Sequence, residues 1–274
     1  MFLLIILILA ILVWFCIPYS PIKSEFKKLI RNNPNKLEEN HVNFTKEDIS
    51  KLPNPLQKYF HYCGYISTPK MSNARVHFSD VNFVQGSKKL KIQYTLYSFV
   101  SELKRFALID TSIMGIPFEG LDSYEDGIGR MKGQIGKLIT LFDEKGTSMN
   151  KACLVTYLSE SLVIPNILLQ DFVNFEELDA THVKVNITYY EISTSGIFEF
   201  DSNGAIVRFT TKDREYNDGN KTIQNVSWSA LFEEYRDING IKLPTVMKAV
   251  WHLDEGDLLY FDGKNMEISY DALS

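Results

Sequence analysis

The chain has 274 residues, of which 45% are hydrophobic, 13% aromatic and 23% charged. That is enough apolar material for a sizeable core, with a charged fraction ordinary for a globular protein. Its net charge of −5 excludes a protein built around a basic nucleic-acid-binding stripe, and three cysteines, one of them in the apolar N-terminus, exclude a disulfide framework.

Residues 2–17 read FLLIILILAILVWFCI, without a charge or a strong polar group. As a helix the run spans roughly 24 Å, somewhat short of the ~30 Å hydrocarbon core, and Trp14 and Tyr19 suit the interface. A cleaved signal peptide normally has basic residues before the apolar run and small residues at its end. Here no Lys or Arg precedes the run, and it closes on Val13-Trp14-Phe15-Cys16. Those bulky residues also argue against a lipid-modified Cys16. Residues 1–19 are expected to be an uncleaved transmembrane helix, a signal-anchor that ties a single-pass protein to the cell membrane through residues 2–17. Lys23, Lys27, Lys28 and Arg31 follow the segment, and the positive-inside rule would then place the domain in the cytoplasm.

Residues 20–44, rich in Asn and Lys, read as a polar linker. Residues 45–274 read as a single β-rich domain with short N-terminal helices. Thr45 with Asp48 approximates a capping box, and Asn54 with Pro55 predicts a second helix start. Leu56, Tyr59, Phe60 and Cys63 share one face of that helix, and Gly64 ends it.

From about residue 73 the period changes to two. Strands are predicted from Arg75 to Phe78, over 90–97, 104–111, 118–124 and 129–138, then over 173–178, 182–190, 195–201, 205–212, 224–235, 245–253 and 259–270. Turn signals such as Glu125-Asp126-Gly127, Asp218-Gly219-Asn220 and Asn239-Gly240 separate them. One helix interrupts the pattern near 147–162, capped by Thr147 or Ser148, with Met149, Ala152, Cys153, Tyr157 and Leu158 as its apolar stripe. The expected fold is mostly β, a large curved antiparallel sheet or incomplete barrel of about 10–11 strands with one inserted amphipathic helix.

Sequence motifs for catalysis are absent. Gly136-Lys137 fails the P-loop pattern, and Gly127-Ile128-Gly129 reads as a hairpin turn rather than a dinucleotide fingerprint. Asp213, Glu215 and Asn217 resemble a calcium loop only faintly, since Asp218 stands where Gly is required. His61, Cys63 and His77 lack four-ligand spacing. No metal or cofactor is expected. The sequons at Asn43, Asn186, Asn220 and Asn225 need a secretory context to matter.

Several segments together resemble an uncharacterised bacterial family of domains of unknown function. They are Leu52-Pro53-Asn54-Pro55-Leu56-Gln57-Lys58-Tyr59, Gly129-Arg130-Met131, Tyr157-Leu158-Ser159-Glu160 with Pro165, and Tyr235-Arg236 followed by Gly240 and Pro244-Thr245. The likeness covers about residues 50–270 and implies one domain, but no established activity. The β-pattern with an inserted helix also looks like the bacterial lipoprotein-localisation carriers, which hold acyl chains inside an incomplete barrel. That likeness implies an extracytoplasmic domain and a lipid or other apolar small molecule as ligand.

Three functions stay open: a lipid-binding module of the envelope, an interaction or scaffold domain for another membrane protein, and an enzyme of unknown class. The residues expected at a ligand site are Met149, Cys153, Tyr157 and Leu158 on the helix, as core or as the lid of a pocket. Glu160, Arg130, Tyr235, Arg236, Trp251 and His252 join them from the family-like segments. No residue carries a catalytic assignment.

Overall fold

The computed structural model describes residues 2–33, 42–86, 88–217 and 223–272. Helix α1 (Phe2–Cys16) has 15 residues, and among the described residues no helix is long and apolar enough to cross a membrane. The C-terminal end of α1 is tied to the domain. Lys137 Nζ donates to the carbonyls of Phe15 at 3.0 Å and Ile17 at 2.6 Å, and Trp14 Nε1 donates to Gly136 O at 3.1 Å. A cation on the last free carbonyls of a helix is favourable twice over, through hydrogen bonds and through the helix dipole.

The segment expected as polar linker holds a helix, α2 (Pro21–Arg31). Ser20 is its N-cap, accepting from Lys23 N at 3.2 Å, and Pro21 takes the first-turn position where its missing N–H costs nothing. Its apolar residues Ile22, Phe26, Leu29 and Ile30 follow a helical period and pack on Phe99, Phe106 and Leu121 on the outer face of the sheet. The polar composition conceals this face, since the remaining side chains are solvated or paired: Glu25 accepts from Arg130 at 2.9 Å and from Lys132 at 3.2 Å. Residues 34–41 of the expected linker lie outside the described residues. Phe26→Ala should cost about 3 kcal/mol of unfolding free energy in urea; a loss below about 0.5 kcal/mol, the range of ordinary surface changes, would return this segment to a linker.

Helix α3 (Lys46–Ile49) starts on the expected capping box, with Thr45 N donating to Asp48 at 2.8 Å and Asp48 N to Thr45 at 3.1 Å. Helix α4 (Asn54–Cys63) begins one residue earlier than expected. Pro53 takes the cap position, and Asn54, instead of capping, donates its backbone N–H to Glu177 at 2.8 Å. Gly64 closes the helix at φ +80, in the left-handed region that glycine tolerates.

Strands β1 (Asn73–Gln85), β2 (Lys88–Phe99), β3 (Lys104–Ile113), β4 (Ile116–Glu125), β5 (Ile128–Ile135) and β6 (Ile139–Lys145) form an antiparallel meander. The chain then leaves the sheet as α5 (Thr147–Glu160) and two 3-10 turns, Ser161–Val163 and Pro165–Leu169. It re-enters at the far edge as β7 (Val173–Glu177) and returns through β8 (His182–Tyr189), β9 (Ile192–Phe200) and β10 (Ile206–Thr211). A small separate ribbon of β11 (Tyr216–Asn217) and β12 (Ile223–Gln224) follows. The return continues through β13 (Ser227–Ile238), β14 (Ile241–Leu253) and β15 (Gly256–Gly263), and β15 and β16 (Glu267–Tyr270) both pair with β1.

The result is a 14-stranded, wholly antiparallel curved sheet, open between β6 and β7. The expected architecture stands, with more strands than expected. Residues 139–145 form the additional edge strand β6, and 259–270 divides in two at Asn265, which has φ +54. The turn expected at 218–220, with Asn220, lies outside the described residues, although β11 and β12 pair across it.

Helix α5 crosses the concave face, packing on β4, β5 and β6 at one side and on β9 at the other. It can approach β5 closely because position 129 is glycine: a Cβ there would stand 2.6 Å from Met149 O and 2.9 Å from Asn150 Cα. Neither Thr147 nor Ser148 caps the helix. Gly146 precedes it at φ +111, and Asn150 ties its first turn to the sheet by accepting from Gly129 N at 2.7 Å.

Candidate functional site

Beneath α5 the concave face leaves a cavity of about 380 Å³, within the range of small-molecule sites. The sequence explains the space. Trp228, Ala230 and Phe232 share one face of β13, and Ala230 stands opposite Ala249 of β14, which in turn pairs with Phe261 of β15. Small side chains therefore fall at the centre of the floor, and Ala152 faces them from α5, while aromatic residues rise around them. Val76, Phe78, Leu96 and Met131 extend the apolar wall.

One part of the wall is ionic. Arg105, whose side chain is 1% exposed, donates to Glu160 at 2.7 and 3.0 Å, to Asp122 at 2.6 Å and to the hydroxyl of Tyr94 at 2.5 Å. Burial works against its charge, but Asp122 and Glu160 outweigh it and hold the guanidinium pKa raised. Burial pushes the Glu160 carboxyl above the usual glutamate range, with Arg105 pulling the other way. The thiol of Cys153 is pushed up by burial and then by the Asp122 carboxylate, 3.5 Å away, so it stays protonated at neutral pH. The buried thiol of Cys63, likewise free, is pushed up to about 12 by burial.

A second guanidinium, Arg214, lines the cavity from the segment after β10. It lies 4.6 Å over the ring of Trp228 and 5.7 Å from that of Trp251.

Of the residues expected at the site, Met149, Cys153 and Glu160 line the cavity. Tyr157 and Leu158 are buried core: the Tyr157 hydroxyl donates to Phe99 O at 2.7 Å. Trp251 stands behind the wall, stacked on Tyr260, which itself lines the cavity. The other four lie elsewhere. Arg130 is on the outer face, paired with Asp143 at 2.6 Å and Glu25 at 2.9 Å. Tyr235 donates to Ile206 O at 3.0 Å and packs on Tyr62. Arg236 is exposed beside Glu234. His252, on the opposite face from Trp251, contacts Asp257 at 2.8 Å and Ser229 at 2.9 Å.

Sequence reasoning missed Arg105, Asp122, Arg214 and Trp228. A charge within an inward row was the available signal at Arg105, but Phe106 and Leu108 alternate with Ala107 and Ile109, so β3 reads as apolar on both faces. Arg214 was hidden in a segment that reads as a solvated turn.

An open, curved antiparallel sheet that holds a helix over a partly polar cavity is the class of fold the chain defines. By sequence it matches the family of unknown function DUF6544 over residues 42–263, and it belongs to that family. A comparison with curated proteins finds no match. Among solved structures it is similar to a LolA superfamily protein from Nitrosomonas europaea, with 12% identity and a TM-score of 0.39, covering 77% of this chain and 92% of that one. It is also similar to a DUF1329 family protein from Desulfovibrio piger, with 14% identity and a TM-score of 0.41, covering 84% and 95%. Both likenesses concern the fold alone.

Proposed function

We propose that the protein binds one apolar or amphipathic molecule, of the size of a lipid acyl chain, in the cavity beneath α5, and that α1 holds this binding domain at the membrane. The cavity carries the reading: about 380 Å³ lies between alanines and aromatic rings that well-chosen larger side chains would have filled. The site supports binding over catalysis, because its thiol is held protonated and Arg105 holds Asp122 and Glu160 in ion pairs.

Membrane attachment draws on a second observation. Hairpin register brings Ile113 beside Ile116, and Ile135 beside Ile139, at one end of the sheet. Exposed Met114, Leu138 and Ile139 cluster there, next to the turn that grips the end of α1. An apolar rim continuous with an apolar helix suits a lipid surface, which that rim serves better than a protein partner. Following the carrier likeness, the domain is assigned to the extracytoplasmic side.

Titration of the purified domain with a fluorescent fatty acid should saturate at one probe per chain and reverse with unlabelled fatty acid. No saturable uptake would sink the binding reading. Separately, the full chain should resist alkaline extraction from membranes while a chain lacking residues 2–17 is released. Equal release of both would remove the anchor. A reporter fused at Ser274 that is active only in the cytoplasm would reverse the assigned side.

A further inference from the structure

Resting on the reading of the cavity as a ligand site, we propose that Arg214 is its head-group site and that the ligand is an anionic amphiphile, a carboxylate on a long apolar chain. Three cations line the cavity among the described residues: Arg105, Lys248 and Arg214. Two are already matched. Arg105 directs its donors to Glu160, Asp122 and Tyr94, and Lys248 donates to Glu233 at 2.7 and 2.8 Å.

Arg214 differs. It makes no ion pair among the described residues, and its one hydrogen bond among them runs from Nη1 to Thr156 Oγ1 at 3.0 Å. Its Nε is shielded from solvent and has no acceptor among the described residues. The guanidinium charge therefore has no counter-ion among the described residues, which an anionic ligand would supply. The acids beside it in sequence have other partners, although Glu215 also lines the cavity. Asp213 accepts from Lys151 at 2.7 Å and from Ser195 N at 2.7 Å, and Glu215 accepts from Ser148 at 2.6 Å. Glu160 lies near enough to feel the Arg214 charge, but both of its oxygens are on Arg105.

The guanidinium carbon lies 4.6 Å from the centre of the Trp228 ring and Nη1 is tied to Thr156, so the group is held in place before a ligand arrives. A pre-oriented planar fork recognises a carboxylate by two parallel hydrogen bonds, and the low dielectric of the cavity strengthens them. The apolar wall beyond, from Val76 to Phe261, takes the chain.

The test uses displacement of the neutral probe N-phenyl-1-naphthylamine from the cavity by hexadecanoic acid and by its methyl ester. Wild type should bind the acid at least about tenfold more tightly than the ester. Arg214→Gln should bring the acid to the level of the ester and leave the ester unchanged, at an unaltered urea midpoint. Arg214→Lys, which keeps the charge but loses the fork, should fall between. Equal affinities for acid and ester in wild type, or a preference that survives in Arg214→Gln, would overturn the head-group assignment while leaving the cavity as a ligand site. Failure of both compounds and the probe to bind would overturn the cavity reading and this assignment together.

Discussion

Arg105→Leu is expected to destabilise the fold by about 3–5 kcal/mol at neutral pH, because it strands two carboxylates that the guanidinium now holds. The loss should depend on pH in a defined direction. A carboxyl whose folded pKa is raised holds its proton more tightly folded than unfolded, so its contribution to stability falls as pH rises from the unfolded value through the folded one. Glu160 already has a raised pKa in the presence of Arg105, and removing Arg105 takes away the influence that lowers it. The variant should therefore lie closer to wild type at acid pH, where protonation removes the stranded charge of Glu160, than at neutral pH. Urea unfolding at acid and at neutral pH measures both effects. Removing Glu160 as well, in Arg105→Leu/Glu160→Leu, should recover part of the loss, since the two residues form one network. A pH-independent deficit, or one below about 1 kcal/mol, would mean that the cluster is as solvated as a surface ion pair.

Ala230→Phe should have the opposite profile, with little change in stability and a loss of acyl-probe affinity of at least about tenfold. Ala230 is 6% exposed at the centre of the cavity floor. A phenyl ring there occupies space that the native packing leaves open, and phenylalanine suits a strand. In a filled core the same change would force rotamers and backbone apart at about 1–3 kcal/mol. The sign thus separates a cavity from a packed interior. A destabilised variant that binds the probe as well as wild type would place the ligand elsewhere.

The parts of the fold legible in the sequence were those with one buried face. β8 alternates between buried Val183, Val185 and Ile187 and less buried partners, and it was read at its full length with one residue beyond. α5 was legible from its apolar stripe, although neither Thr147 nor Ser148 forms the expected cap. β6 was not: it is an edge strand, its residues are nearly all exposed, and no alternation marks it. α2 was hidden by its own solubility, although Ser20, Pro21, Ile22 and Phe26 carried the cap and the face. For the site, helical spacing found Met149 and Cys153, and the family-like segment found Glu160. The strand contributions depend on which face looks inward, and α2 covers the outer face of β3 and β4, so both rows are apolar and the pattern gives no direction. Arg130, Arg236 and His252 were singled out by their segments, and those segments proved to serve the outer face and the turns.

The central claim, that the space beneath α5 receives an acyl chain, can be tested at the cavity wall itself. The sequence has three tryptophans, of which Trp228 lines the cavity, Trp251 stands behind it and Trp14 lies at the end of α1. In a Trp14→Phe/Trp251→Phe protein, Trp228 is the sole indole, and a fatty acid brominated along its chain quenches it only on close approach. The account predicts saturable quenching at one fatty acid per chain, abolished in the same protein carrying Ala230→Phe. Binding without quenching of Trp228, or quenching that persists at full strength with Ala230→Phe, would contradict it.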